Sequence, residues 1–157
     1  MHIETLAKFL NEANKATYAN KNAEKAVSSR AGSKEYHFEK DGLIYHDTYF
    51  GGRDFIGEEI IYENGSPVWG MNYFGVILDE KTSEKEVFDF LRSALMREYD
   101  DIVPLRGPSN FSAGDKEYHF SVEGDLANFS GKEEILFGGK VVYRCVVHGG
   151  VIEESSK

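Results

Sequence analysis

The chain has 157 residues, of which 18 are Lys or Arg and 27 are Asp or Glu, for a net charge of −9. That length suits one domain that buries about two-thirds of its unfolded surface without a staple, and a dispersed, acidic charge balance argues against nucleic-acid or anionic-membrane binding. One cysteine, no window of ~20 apolar residues and an opening without a signal-peptide core lead to the expectation of a cytoplasmic protein with no disulfide, no cofactor and no membrane span.

In chain order, Leu6, Phe9, Leu10 and Ala13 share one face of a helix predicted over roughly 3–16. The loop SSRAGS follows, with Arg30, and KEYHF at 34–38 opens the first strand. Asp41-Gly42 is a two-residue turn of the kind that accepts positive φ and matches the twist of a hairpin; it sets His37 opposite His46 and Tyr36 opposite Asp47. Asn64-Gly65 predicts a second hairpin. Counted as a plain two-residue loop, it pairs Ile61 with Val68, Ile60 with Trp69 and Glu58 with Met71, so that Ile60, Tyr62, Pro67, Trp69, Met71 and Tyr73 face the helices. Ser83 and Glu86 form a capping box for a second helix, whose stripe of Val87, Phe90, Leu91 and Leu95 runs to about Tyr99. The loop PLRGPSNFSAG then brings Arg106, KEYHF returns at 116–120, and Gly138-Gly139 turns the last hairpin. The same counting gives a core-side row of Glu134, Leu136, Val141, Tyr143, Cys145 and Val147, with Glu133 opposite Arg144 as a salt bridge.

The repeated pentapeptide points to an internal repeat. Moving the chain by 82 positions lays KEYHF on KEYHF, and a shift of 74 then matches Phe55 with Phe129, Gly57 with Gly131, Glu59 with Glu133 and Trp69 with Tyr143. On this alignment the second copy lacks eight residues of LIYHDTYFGGRD. The expected fold is α+β: one domain over 1–157 built of two repeats, about 1–80 and 81–157, each a helix plus antiparallel strands. The strands form a curved antiparallel sheet or partial barrel with the helices packed on one face.

Several residues suggest chemistry. His37 and His46 across a hairpin, near Glu35 and Glu39, are weak metal-ligand candidates, although two imidazoles need further ligands and both can simply point to water. Asp47 among Tyr45 and Tyr49, near Trp69, either lines a polar pocket or is a hydrogen-bonded structural acid. Arg30 and Arg106 precede the two KEYHF strands and either converge on one anionic ligand or close their own loops. Glu134, opposite Tyr143, needs a partner or water if buried. Cys145 and His148, three apart on a strand, point to opposite faces and do not form a nucleophile and base.

SSR at 28–30, YHDTYFGGRDFIGEEIIYENGSPVWGMNYFG at 45–75, RGP at 106–108, and FSGKEEI with VYRCVVHGGVI near the end resemble a bacterial and archaeal domain family of unknown function. The resemblance implies a module found alone or C-terminal to a helix-turn-helix domain of the XRE class; this chain has no separate helix-turn-helix, since its first helix runs almost directly into the repeat. The reading favoured is a non-enzymatic small-ligand-binding or sensory module related to domains attached to transcriptional regulators. Its candidate site residues are Arg30, Tyr45, Asp47, Tyr49, Trp69, Arg106, Glu134 and Tyr143, its ligand small and anionic or polar. The alternatives are a protein-interaction or homodimerisation module, and a small enzyme acting on an anionic metabolite with Asp47 or Glu134 as base.

Overall fold

A computed structural model describes residues 2–97 and 106–153 of the chain. Helix α1 (Ile3–Ala16) precedes β1 (Lys34–Lys40), β2 (Leu43–Gly51), β3 (Asp54–Glu63) and β4 (Ser66–Ile77). Helix α2 (Glu84–Leu95) precedes β5 (Asn110–Ala113), β6 (Lys116–Asp125), β7 (Asn128–Phe137) and β8 (Lys140–Val151). The strands form one open antiparallel sheet in the order β1-β2-β3-β4-β8-β7-β6-β5. The class is α+β. Ser83 caps α2 by accepting from the Glu86 backbone N–H at 3.4 Å, while the expected extension towards Tyr99 lies outside the described residues.

The three predicted hairpin turns are present, with positive φ at Asp41-Gly42, Asn64-Gly65 and Gly138-Gly139. The first hairpin has the expected register, with His37 opposite His46 and Tyr36 opposite Asp47. The other two differ by one residue. A β-bulge lets Tyr62 pair with Pro67 but Ile61 with Trp69, and a second lets Leu136 pair with Val141 but Ile135 with Tyr143. One extra residue exchanges the two faces of the partner strand. Trp69, Met71, Tyr73, Tyr143, Cys145 and Val147 therefore point inward as expected, but opposite them lie Glu59 and Ile61, and Glu133 and Ile135. Ile60, Tyr62, Glu134 and Leu136 fall on the other face. The predicted salt bridge moves accordingly: Arg144 pairs with Glu134 at 2.8 Å.

The two KEYHF segments also take different places. The first is the edge strand β1, while the second is β6, one strand in from the opposite edge. In the sheet it is Tyr45 on β2, opposite Ile61, that matches Tyr118 on β6, opposite Ile135. The eight-residue gap inferred from the repeated letters is thus absent; the second half instead starts with a four-residue edge strand, β5. The central ladder is unchanged by exchange of the halves. Trp69 pairs with Val151, and the positions 74 residues away from each, Tyr143 and Ile77, also pair. Ring stacking follows the same exchange, Trp69 on Phe129 and Tyr143 on Phe55.

Both helices cover the inward face, where Leu6, Leu10, Val87 and Leu91 join Tyr45, Ile61, Trp69, Met71, Tyr118, Ile135, Tyr143 and Val147 in one core. Trp69 is fully buried and donates its indole N–H to the Leu126 carbonyl at 2.9 Å. Trp69→Ala is expected to lower unfolding stability by about 3–5 kcal/mol in urea titrations; a change below about 1 kcal/mol would contradict its place at the centre of the core.

Candidate functional site

Burial has put four charged groups beneath α2. Arg106, 7% exposed, enters from the loop before β5. Its Nε and Nη2 donate to the two oxygens of Glu133 at 3.4 and 3.5 Å, and its Nη1 donates to Glu59 Oε1 at 3.4 Å. Glu133 also accepts from the hydroxyls of Tyr118 at 2.8 Å and Tyr143 at 2.9 Å. Burial alone would weaken the hold of Arg106 on its proton, but the charges of Glu133 and Glu59 outweigh it and its pKa rises well above the ordinary value. Among the described residues Glu59 Oε2 has no hydrogen-bond partner. It borders a void of about 10 Å³ shared with Asn14, Tyr18 and Arg106.

Asp47, on β2 beside Glu59 on β3, is 3% exposed and accepts from the Tyr73 hydroxyl at 2.5 Å. Gly57 makes that contact possible, because a Cβ there would come within 2.4 Å of the Tyr73 hydroxyl oxygen. Burial pushes the Asp47 carboxyl up to about 6 against the opposing pull of Tyr73 and Arg106; burial and the nearby charge of Asp47 push Glu59 up to about 8. Burial likewise holds Tyr18, Tyr45, Tyr73 and Tyr143 as neutral hydroxyls.

Above Asp47 a cavity of about 150 Å³ opens outward. Helix α2 lines it with Glu84, Phe88 and Arg92, which are spaced by four residues and so lie along one helix face. Tyr18 and Lys34 contribute from one side, and Asp47, Tyr49, Gly51, Gly52, Phe55, Tyr73 and Arg106 from the sheet and its loops. Gly51 holds the rim with φ of +96, where a Cβ would meet the Asp54 carbonyl oxygen at 2.1 Å, so no other residue fits without distortion. Arg92 stacks over the Tyr18 ring with its carbon 4.6 Å from the centroid and donates Nε to the Tyr18 carbonyl at 3.2 Å.

A model described as a domain of unknown function, DUF5680, matches residues 47–152. The chain belongs to the DUF5680 family. No curated protein and no solved structure matches it. In this DUF5680 chain the matched span holds every cavity-lining residue except Tyr18 and Lys34.

Of the residues singled out from sequence, Asp47, Tyr49 and Arg106 line the cavity, and Tyr45 and Tyr143 lie in the buried layer beside it. Trp69 sits deeper in the core. Arg30 does not converge with Arg106: it is half-exposed, pairs with Glu58 at 2.9 Å and lies over Phe50. Glu134 lies on the outer face, held by Arg144 and Lys132. His37 and His46 have facing rings 6.3 Å apart, but His46 Nε2 is bonded to Glu35 at 2.8 Å. Glu35 is itself engaged by Ser29 and Ser33, whose hydrogen bonds hold it down to about 2. Among the described residues no group of three or more His, Cys, Asp or Glu is placed to hold a metal ion.

Sequence reasoning missed Glu59, Glu133 and Arg92. The two acids were hidden by the bulges, but Glu84, Phe88 and Arg92 at intervals of four along α2, beside its apolar stripe, offered a readable signal.

Because Asp47 and Glu59 bind protons more tightly when folded, their contribution to stability is complete below about pH 4 and is lost as pH rises through about 6 and then 8. Glu59→Gln is therefore expected to stabilise the protein at pH 8.5, on the order of 1–3 kcal/mol, and to narrow its difference in melting temperature between pH 5 and 8.5; an unchanged difference would remove Glu59 as its source. Arg106→Leu strands Glu133 and is expected to cost about 3–5 kcal/mol in urea unfolding at pH 8; a neutral result would mean the three groups are not packed together.

Proposed function

We propose that this DUF5680 chain is a non-enzymatic small-ligand-binding module whose site is the cavity between α2 and strands β2–β4. The observation that carries the reading is convergence: aromatic rings of Tyr18, Tyr49, Phe55, Tyr73 and Phe88 wall a concave space into which an acid, Asp47, and two cations, Arg92 and Lys34, project. Largely apolar walls with a few aimed polar groups are the usual make-up of small-molecule sites. The buried ion network below would serve as a rigid floor. The register of β4 and β8 supports descent of the two halves, about 1–80 and 81–157, from one duplicated unit.

A sensory role beside a transcriptional regulator is the accompanying proposal, resting on the family resemblance alone, with the ligand small and polar or anionic. A homodimer acting through the sheet edges or its outer face is compatible with it. One observation favours a small enzyme instead: Asp47 is a buried acid with a raised pKa in a cleft, the pattern of a general base. We rank it second. Among the described residues the cavity lining places no nucleophile beside a base, and the Cys145 thiol is buried in the core and pushed up to about 12.

The test is native mass spectrometry of protein purified without added ligand, together with thermal-shift screening of small polar metabolites on the wild type and Tyr49→Ala. A retained mass, or a stabilising compound whose effect Tyr49→Ala reduces at least about tenfold in concentration, is expected. A bare mass with no stabilising compound would overturn the pocket, and turnover of a stabilising compound would move the reading to the enzyme.

A further inference from the structure

The cavity's polar groups are not equally free to meet a ligand. All three nitrogens of the Arg106 guanidinium are committed to Glu59 and Glu133. Lys34 donates to the Gly51 carbonyl and lies over the Tyr49 ring. Arg92 differs. Its Nε is anchored on the Tyr18 carbonyl and its plane rests on the Tyr18 ring, yet among the described residues neither terminal nitrogen has a hydrogen-bond partner and no carboxylate pairs with it. A guanidinium fixed in this way presents a planar fork suited to one carboxylate.

Asp47 offers the complementary feature. One oxygen accepts from Tyr73, and among the described residues the other has no hydrogen-bond partner. Asp47 is 97% removed from solvent, being 3% exposed, and it borders the cavity. An acceptor of this kind calls for an N–H donor, and an ammonium supplies one in a cavity walled by Tyr49, Tyr73 and Phe55. The Tyr49 hydroxyl lies within the fields of both groups, since Asp47 and Arg92 act on it in opposite senses. The space is small. A cavity of about 150 Å³ holds roughly one benzene ring, about six non-hydrogen atoms, so the part of a ligand that sits between Arg92 and Asp47 is compact.

Resting on the pocket reading above, we infer that the ligand is a compact zwitterion, an α-amino acid with a side chain of at most a few atoms, its carboxylate on Arg92 and its ammonium on Asp47. A dicarboxylate would bring a second anion against Asp47 and Glu84. A diamine would meet Arg92, Lys34 and Arg106. The first mismatch leaves the buried Asp47 unpaired and the second leaves the Arg92 fork without an anion, and such a site discriminates against analogues that lack one group.

The experiment is an NMR titration of the isotope-labelled full chain, following the backbone amides of Tyr49, Gly51, Gly52 and Arg92. The probes are glycine, L-alanine and L-serine, with propionate, ethylamine, succinate and inorganic phosphate as controls. Saturable shifts at these amides are expected with at least one amino acid, and affinity at least about tenfold weaker for propionate and for ethylamine. Arg92→Gln, which removes the charge and the fork but leaves a shorter polar side chain, is expected to reduce amino-acid affinity at least tenfold while the remaining spectrum stays that of the folded protein. Tighter binding of ethylamine, succinate or phosphate at the same amides would overturn the zwitterion while leaving the pocket intact. Unmoved amides with every probe would also overturn it. The pocket itself falls only if the metabolite screen and the native mass are blank as well.

Discussion

One guanidinium ties the two halves of this molecule together. Arg106 bonds both Glu59 on β3 and Glu133 on β7, although β4 and β8 lie between those strands. Three interstrand spacings amount to about 14 Å in a flat sheet, far more than one guanidinium can bridge. The sheet must therefore curl towards its helices, and the curl turns a row of inward side chains into a cup. Gly57 and Gly75 help it to do so, since Cβ atoms there would collide with the rings of Tyr73 and Phe55. The candidate cavity is the part of that cup which the helices do not fill.

The same interaction explains the electrostatics. Asp47, Glu59 and Glu133 surround a single cation, and water is too scarce to screen them. Burial disfavours the ionised form of both acids, and for Glu59 the neighbouring charge of Asp47 adds to it, which is why Asp47 and Glu59 hold their protons to higher pH than free carboxyls do. Buried networks of this kind are a weak source of stability, but the three bonds from Arg106 and the two hydroxyls on Glu133 leave few alternative packings at that point. Rigidity is what a site needs from its floor.

Much of the architecture was legible in the letters because turn chemistry is local. Asp41-Gly42, Asn64-Gly65 and Gly138-Gly139 announced their hairpins, the helix periodicities announced α1 and α2, and the first hairpin set Asp47 inward. The bulges were not legible. Ile60-Ile61 and Ile135-Leu136 are apolar doublets beside the acid doublets Glu58-Glu59 and Glu133-Glu134, so a slip of one residue leaves the hydrophobic pattern equally good. Letters alone therefore place Glu134 inward and Glu133 opposite Arg144, the reverse of what the bulge produces. The repeated KEYHF misled for a related reason: identical letters suit any half-buried strand, and only pairing shows that one copy is an edge and the other is not.

The symmetry of the frame is not shared by the cup. Glu59 and Glu133 occupy matching positions, but on β6 the place that matches Asp47 is filled by Phe120, and the arginine of the first loop, Arg30, stays outside on Glu58. The matching positions thus differ in kind, an aromatic ring on one side and an acid on the other. On the reading proposed here such a chain takes up one equivalent of ligand rather than two, so any sigmoidal response would have to arise between chains and not within one.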